Sequence, residues 1–240
     1  MSWRRWMAVL AVGWPAFATA DFEPRDHGWT GVSEAFDIAR EVHVEVEVPD
    51  QLDWARVGEH DILVMVAPER SPTRADESNI REFLASGGRL IVVDDYGAGA
   101  AWLRPLGLRL EPVPGTAERA YGDQPELPQV SIDPSEQDLA RARGWQSTTR
   151  GPSSVDLLRH GLGGPLVLNH PTSLTIGPEA WSRSVAWGRF REPERAWLVE
   201  RELGSGRVLA MSDPSAFING VLGDRKSTRL NSSHITISYA

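Results

Sequence analysis

DILVMVAPERSPTRADESNIREFLASGGRLIVVDDYGAGAAWLRPL, residues 61–106, decides the fold. Residues 62–66 are an unbroken apolar run of the length expected for a strand buried on both faces. Thr73 stands where a helix N-cap is needed, and Ile80, Phe83 and Leu84 follow at helical spacing. Gly87-Gly88 ends that helix, because glycine enters the left-handed region without steric cost. Residues 90–93 read as a second buried strand, running through Asp94-Asp95-Tyr96-Gly97-Ala98-Gly99 into another helix. Two buried strands joined by a helix predict a right-handed parallel crossover.

Upstream, residues 32–40 predict a helix with Val32, Ala35, Phe36 and Ala39 on one stripe. EVHVEVEVP, residues 41–49, alternates valine with polar residues and predicts an edge strand with one solvated face, His43 on the solvated side. Residues 52–59, with Trp54, read as a short helix or turn. Downstream, Pro112, Pro114, Pro125, Pro128 and Pro134 dissolve the pattern, so residues 111–151 are expected to be an irregular excursion, with Tyr121 and Trp145 packing back on the body. Residues 154–160 suit a helical turn, and residues 166–168 a short strand ending in Asn169-His170-Pro171. Residues 181–190 and 196–202 suit strands, and Gly204-Ser205-Gly206 then turns the chain into 207–211 as a hairpin. Ser212-Asp213-Pro214 ends that strand and residues 215–222 begin a helix. The expected fold is a single α/β domain over residues 21–223: a three-layer sandwich with a mostly parallel sheet and a C-terminal antiparallel hairpin.

The two ends read differently from the body. Residues 1–20 carry Arg4-Arg5, an apolar run over 6–17 and small residues at Ala18 and Ala20, the layout of a signal peptide cut before Asp21. Residues 224–240 contain Lys226, the only lysine in a chain that otherwise uses arginine. Back-translated, this tail resembles a common sequencing adapter, which makes it a non-native end and places the native C-terminus beyond a truncation near Gly223. Without these segments 20 basic and 32 acidic residues remain, a net charge near −12. That balance argues against a nucleic-acid backbone or an anionic lipid surface as partner. The chain has no cysteine, which excludes disulfides, thiolate zinc sites and cysteine nucleophiles.

In a parallel sheet, function concentrates where strands end in loops leading to helices. Four such loops are Pro68-Glu69, Asp94-Asp95, Asn169-His170 and Ser212-Asp213. On one rim, Asp94, Asp95, His170 and Asp213 would offer oxygen and imidazole ligands to a divalent cation. Against that, Asp95 and Asp213 are placed to cap the helices that follow them. Ser212 with His170 as base and Asp94 as orienter is a conceivable triad, without support from spacing. Gly97 and Gly99 leave room for an anion at a helix N-terminus, although the adjacent carboxylates repel it. Trp102, Trp187 and Trp197, among seven tryptophans beyond the leader, would make either a glycan-stacking platform or core anchors. No cofactor is expected.

GWTGVSEAF, LDW, DILVMVAP, FLASGGRLIVVDDYGAG, VLNHPTSL and GSGRVLAMSDPSAFING together resemble an uncharacterised group of exported bacterial proteins. That group carries a domain of unknown function related to class I glutamine-amidotransferase-like (flavodoxin-like) folds and to gliding-motility-type ABC-transporter accessory domains. The resemblance implies a non-enzymatic domain lacking the amidotransferase cysteine, followed in the full-length protein by a helix and a membrane span. It carries over no catalytic residue. The expected function is therefore a binding or scaffolding domain at the cell envelope with an envelope or membrane protein as partner. A metal-dependent hydrolase using the rim and a glycan-binding module are the alternatives.

Overall fold

The computed structural model describes residues 7–10, 22–41, 44–49, 51–112, 120–145, 166–190 and 195–219. His43, the turn expected over 154–160 and the tail over 224–240 lie outside the described residues. Strands β1 (Met7–Leu10), β2 (Glu45–Glu47), β3 (Ile62–Val66), β4 (Arg89–Val93) and β5 (Leu108–Pro112) are followed by β6 (Gln129–Val130) and β7 (Leu166–Val167). The last four are β8 (Thr172–Ile176), β9 (Ser184–Arg189), β10 (Ala196–Leu203) and β11 (Gly206–Met211). Helices α1 (Ser33–Glu41), α2 (Arg74–Ser86), α3 (Gly99–Leu103) and α4 (Glu136–Gly144) are joined by short 3₁₀ turns. None of the described helices is long and apolar enough to cross a membrane.

The crossover forms as its sequence predicts. β3 and β4 pair in parallel, Ile62 opposite Arg89 through Val66 opposite Val93, with α2 between them in the chain. Thr73 caps α2 and forms a reciprocal capping box with Asp76, which also accepts from Trp54 Nε1 at 3.0 Å. Gly87, at φ 122°, ends the helix, and the Gly88 N–H donates to Phe83 O at 2.9 Å. Side chains alternate between the faces of the sheet. Leu63, Met65, Leu90, Val92, Val208 and Ala210 pack with Ile80, Phe83 and Leu84 of α2 and with Trp102 and Leu103 of α3. Val64 and Val66 pack instead with Phe36 of α1 and with Val32, the residue before that helix. Ile91, Val93, Leu209 and Met211 join Leu139 of α4.

The architecture is α/β with a mixed sheet, which corrects the expectation of a mostly parallel one. The nine-stranded sheet runs β2-β1-β3-β4-β11-β10-β8-β5, with β9 also on β10. The β1–β2, β1–β3, β3–β4 and β4–β11 pairs are parallel. The β10–β11, β10–β8, β10–β9 and β5–β8 pairs are antiparallel, as is the separate β6–β7 pair. Connection length accounts for the β9–β10 and β10–β11 pairs. β9, β10 and β11 follow one another through short links, which permit only antiparallel return. The β10–β11 hairpin has the expected turn, with Gly204 at φ 62°.

The excursion expected over 111–151 is more ordered than its prolines suggest. It contains the end of β5, a 3₁₀ turn (Tyr121–Asp123), β6 and α4. Ser135 caps α4 in a second capping box, and Asp138 is fully buried between Arg141 at 3.0 Å and Arg189 of β9 at 2.7 Å. The Ser-x-x-Asp spacing before Leu139 was the legible signal for this helix. Asp138 ties α4 to the sheet, and its removal leaves two guanidiniums crowded without their anion. Asp138→Ala is expected to lower unfolding free energy by about 3 kcal/mol, measured by urea denaturation, whereas Glu136→Ala on the exposed side changes it by under about 0.5 kcal/mol.

Candidate functional site

The C-terminal ends of β3, β4 and β11 lie side by side, so the loops after them share one rim as expected. Asp94 N–H donates to Met211 O at 3.1 Å and Ala67 N–H to Val93 O at 2.8 Å. The Asn169-His170 loop arrives by another route, since β7 pairs only with β6. It is held to the rim by Asn169 N–H, which donates to Asp213 Oδ2 at 2.5 Å. Asp94, Asp95, His170, Ser212 and Asp213 therefore meet at one edge of the molecule.

Their partners are largely local backbone. Asp94 is completely buried, and its two oxygens accept from Gly97 N–H at 3.1 Å and Gly99 N–H at 2.7 Å. This replaces the anion site considered at Gly97 and Gly99: a carboxylate of the same loop already occupies the helix N-terminus. A Cβ on Gly99 would lie 2.5 Å from Asp94, so the glycine is required by that carboxylate. Asp213 is also completely buried and caps the 3₁₀ turn Pro214–Phe217 through Ser215 N–H at 2.8 Å, while holding Asn169 with its other oxygen. The capping expected of Asp95 falls to Asp94 instead, and Asp95, half-buried, accepts from Tyr96 N–H at 2.6 Å.

The Ser212–His170–Asp94 triad is not assembled. His170 is exposed, with Nδ1 at 2.8 Å from Asn169 Oδ1, and both oxygens of Asp94 are engaged elsewhere. Ser212 is buried, and its Oγ has no hydrogen-bond partner. Among the described residues no group of three or more His, Asp or Glu is placed to hold a metal ion. Pro68 is buried and Glu69 exposed, and Ala67 before them has φ 43°. A positive φ on alanine at a strand end is strained, yet the strained position offers no nucleophile. Trp102, Trp187 and Trp197 are 3%, 1% and 1% exposed, which makes them core anchors and not a stacking platform. Trp29 and Trp181 are the more exposed ones, and Arg141 covers the Trp181 ring at 5.1 Å.

Asn219, six residues after Asp213 in the chain, has a role that sequence reasoning missed. Its Nδ2 donates to Asp26 O at 2.7 Å and Gly28 O at 2.8 Å, and its Oδ1 accepts from Glu34 N–H at 2.8 Å. It staples the chain before α1 to the segment after β11. An Asn in a short polar stretch has no local signal for a partner nearly two hundred residues away.

Electrostatics at the rim is dominated by burial. Burial pushes Asp94 up to about 6, against the amides of Gly99 and Gly97, with the charge of Asp95 adding to the rise. Burial likewise pushes Asp213 up to about 6 against its hydrogen bonds to Ser215 and Asn169. A carboxyl whose folded pKa is raised holds more protons folded than unfolded, so stability falls as pH rises from about 4 to about 6. The change is up to about 3 kcal/mol per group. Asp76 acts in the opposite sense: burial raises it, but hydrogen bonds from Trp54, Thr73 and Arg70 outweigh that and lower it to about 2, so its contribution is lost only below pH 4. Urea denaturation is expected to show higher stability at pH 5 than at pH 7, with a smaller difference in Asp94→Asn.

Comparison with curated protein sequences finds no match. Among solved structures, the chain is similar to the mmIFT52 N-terminal domain, with a TM-score of 0.56 and 13% identity over 96% of this chain and 99% of that one. It is also similar to the exo-β-1,4-mannosidase Op5Man5 from Opitutaceae bacterium strain TAV5, with a TM-score of 0.50 and 11% identity over 94% of this chain and 34% of that one. The cold-adapted β-galactosidase from Rahnella sp. R3 gives a TM-score of 0.51 and 11% identity over 97% and 32%. The chain spans about a third of the length of each glycosidase. At these identities the likeness shows the fold alone, and it lends no support to a glutamine-amidotransferase relationship. A family described as a domain of unknown function (DUF4350) matches residues 24–234. That match runs through much of the 224–240 tail, so it does not support a foreign origin for those residues. The uncharacterised family expected from the sequence is thus found, and this chain belongs to the DUF4350 family.

Proposed function

We propose that this is a non-catalytic binding or scaffolding domain of the bacterial cell envelope, an accessory to a membrane assembly of transporter-like type. The observation that carries the reading is how the rim carboxylates are used. All four oxygens of Asp94 and Asp213 accept backbone N–H groups that shape the loops, which leaves them poorly placed for acid–base work or metal ligation. The strained turn at Ala67 has the position of a nucleophile elbow but carries a methyl group. The signal-like layout of residues 1–20 supports export, and the acidic balance of the body favours protein partners over nucleic acid.

Two measurements test this. Fractionation of cells expressing the full chain should place it in the envelope or periplasm, and recovery in the cytosol would overturn the location. Thermal melts with Mg²⁺, Mn²⁺ and Zn²⁺ should leave the midpoint unchanged. A metal-dependent rise that disappears in Asp95→Ala, whose lost carboxylate accepts the Tyr96 amide and not those bound by Asp94 and Asp213, would instead favour a metal-dependent hydrolase at the rim.

A further inference from the structure

The most unusual placement in the fold is that of β1. Its four residues lie between β2 and β3, which both pair with β1 and not with each other. Ala8 stands opposite Val46 on one side and Ile62 on the other, and Val9 opposite Glu47 and Leu63. These residues fall inside the segment with the layout of a cleaved leader.

We infer that removal of the leader turns the place of β1 into an acceptor slot for an extended apolar strand from a partner protein. The inference rests on the export reading above and specifies how the proposed binding domain would hold a partner. Adjacent strands are about 4.8 Å apart, so loss of β1 leaves β2 and β3 roughly 9.6 Å apart, each with an unpaired backbone edge. β2 has anchors that do not involve β1. Val46 and Val48 pack on the cluster of Val32, Phe36 and Val66, and Val44 N–H donates to Ala39 O at 2.9 Å. Glu47 is bridged by Arg56 at 2.7 Å. A slot with two fixed edges is filled by strand addition, in which main-chain hydrogen bonds supply affinity to any extended segment that fits. The segment seated there, MAVL, defines the fit: parallel to β2 and β3 and apolar.

The full chain is expressed in a bacterium, the exported protein is purified, and its N-terminus is read by mass spectrometry. A synthetic peptide of residues 4–14, RRWMAVLAVGW, is then titrated against it. A second peptide with Val9→Pro, which removes a ladder donor, is the control. Protein beginning at Asp21 should melt several degrees higher with the first peptide and not with the second. The Val46→Cys/Ile62→Cys variant, in a chain free of other cysteines, should stay reduced in air without peptide, because a disulfide needs Cα atoms within about 6.8 Å. Protein beginning at Asp21 that ignores the peptide, or whose cysteine pair oxidises at once, has closed β2 onto β3. That result overturns the slot while leaving export standing. Protein that still begins at Met1 keeps β1 as a permanent strand, and both the slot and leader cleavage fail.

Discussion

The parallel pairing of β11 with β4 is the joint on which the rest of the structure depends. On one side of it the strands pair in parallel; on the other they pair antiparallel. The joint requires close backbone approach beneath the end of α2. A Cβ on Gly206 would lie 2.3 Å from Gly88 O and 2.4 Å from Leu84 O, and one on Gly88 would enter the Phe83 ring. Only glycine at both places lets Arg207 N–H reach Gly88 O at 3.2 Å while Ile80, Phe83 and Leu84 close over the strands.

That joint also creates the rim. With β3, β4 and β11 in parallel register, their C-terminal ends deliver three acidic positions, Asp94, Asp95 and Asp213, to one place. Burying carboxylates together is unfavourable unless backbone donors compensate or protons neutralise them. Both remedies operate here. The amides of Gly97, Gly99, Ser215 and Asn169 point at Asp94 and Asp213, and burial holds both groups near 6, close enough to neutrality for partial protonation. A helix N-terminus that elsewhere would attract an external anion is satisfied by the chain itself. The site is thus a structural solution to crowded acid, and it leaves the exposed side chains of the rim, Tyr96 at 71% and His170, as the groups that face outward.

A second group of buried charges works by the same rule away from the rim. Asp138 meets Arg141 and Arg189, and Glu200 accepts from Trp187 Nε1 at 2.9 Å and faces Arg207 at 3.4 Å. Arg207 also covers the Trp145 ring at 5.2 Å, which draws the end of α4 onto the hairpin. These pairs link elements far apart in the chain, and this is why the proline-rich stretch around α4 gains order that its own composition does not supply.

The local elements were legible because their signals are local. The apolar runs at 62–66 and 90–93, Thr73 at a helix start, Gly87-Gly88 at its end and the Gly204 turn each act within a few residues, and each stands where the sequence places it. The meeting of Asp94 and Asp95 with Ser212 and Asp213 followed from the parallel direction of β4 and β11, whereas His170 is brought to them by the bond of Asn169 N–H to Asp213. Tertiary structure decided the rest. Strand polarity in the second half depends on which edge each strand finds, and a valine-rich run looks the same in either direction. Whether Asp94 serves a ligand or its own loop depends on where Gly97 and Gly99 point their amides. The reach of Asn219 to Gly28 and of Asp138 to Arg189 exists only once distant segments are packed together, because a hydrogen bond across the fold leaves no periodicity in the chain that makes it.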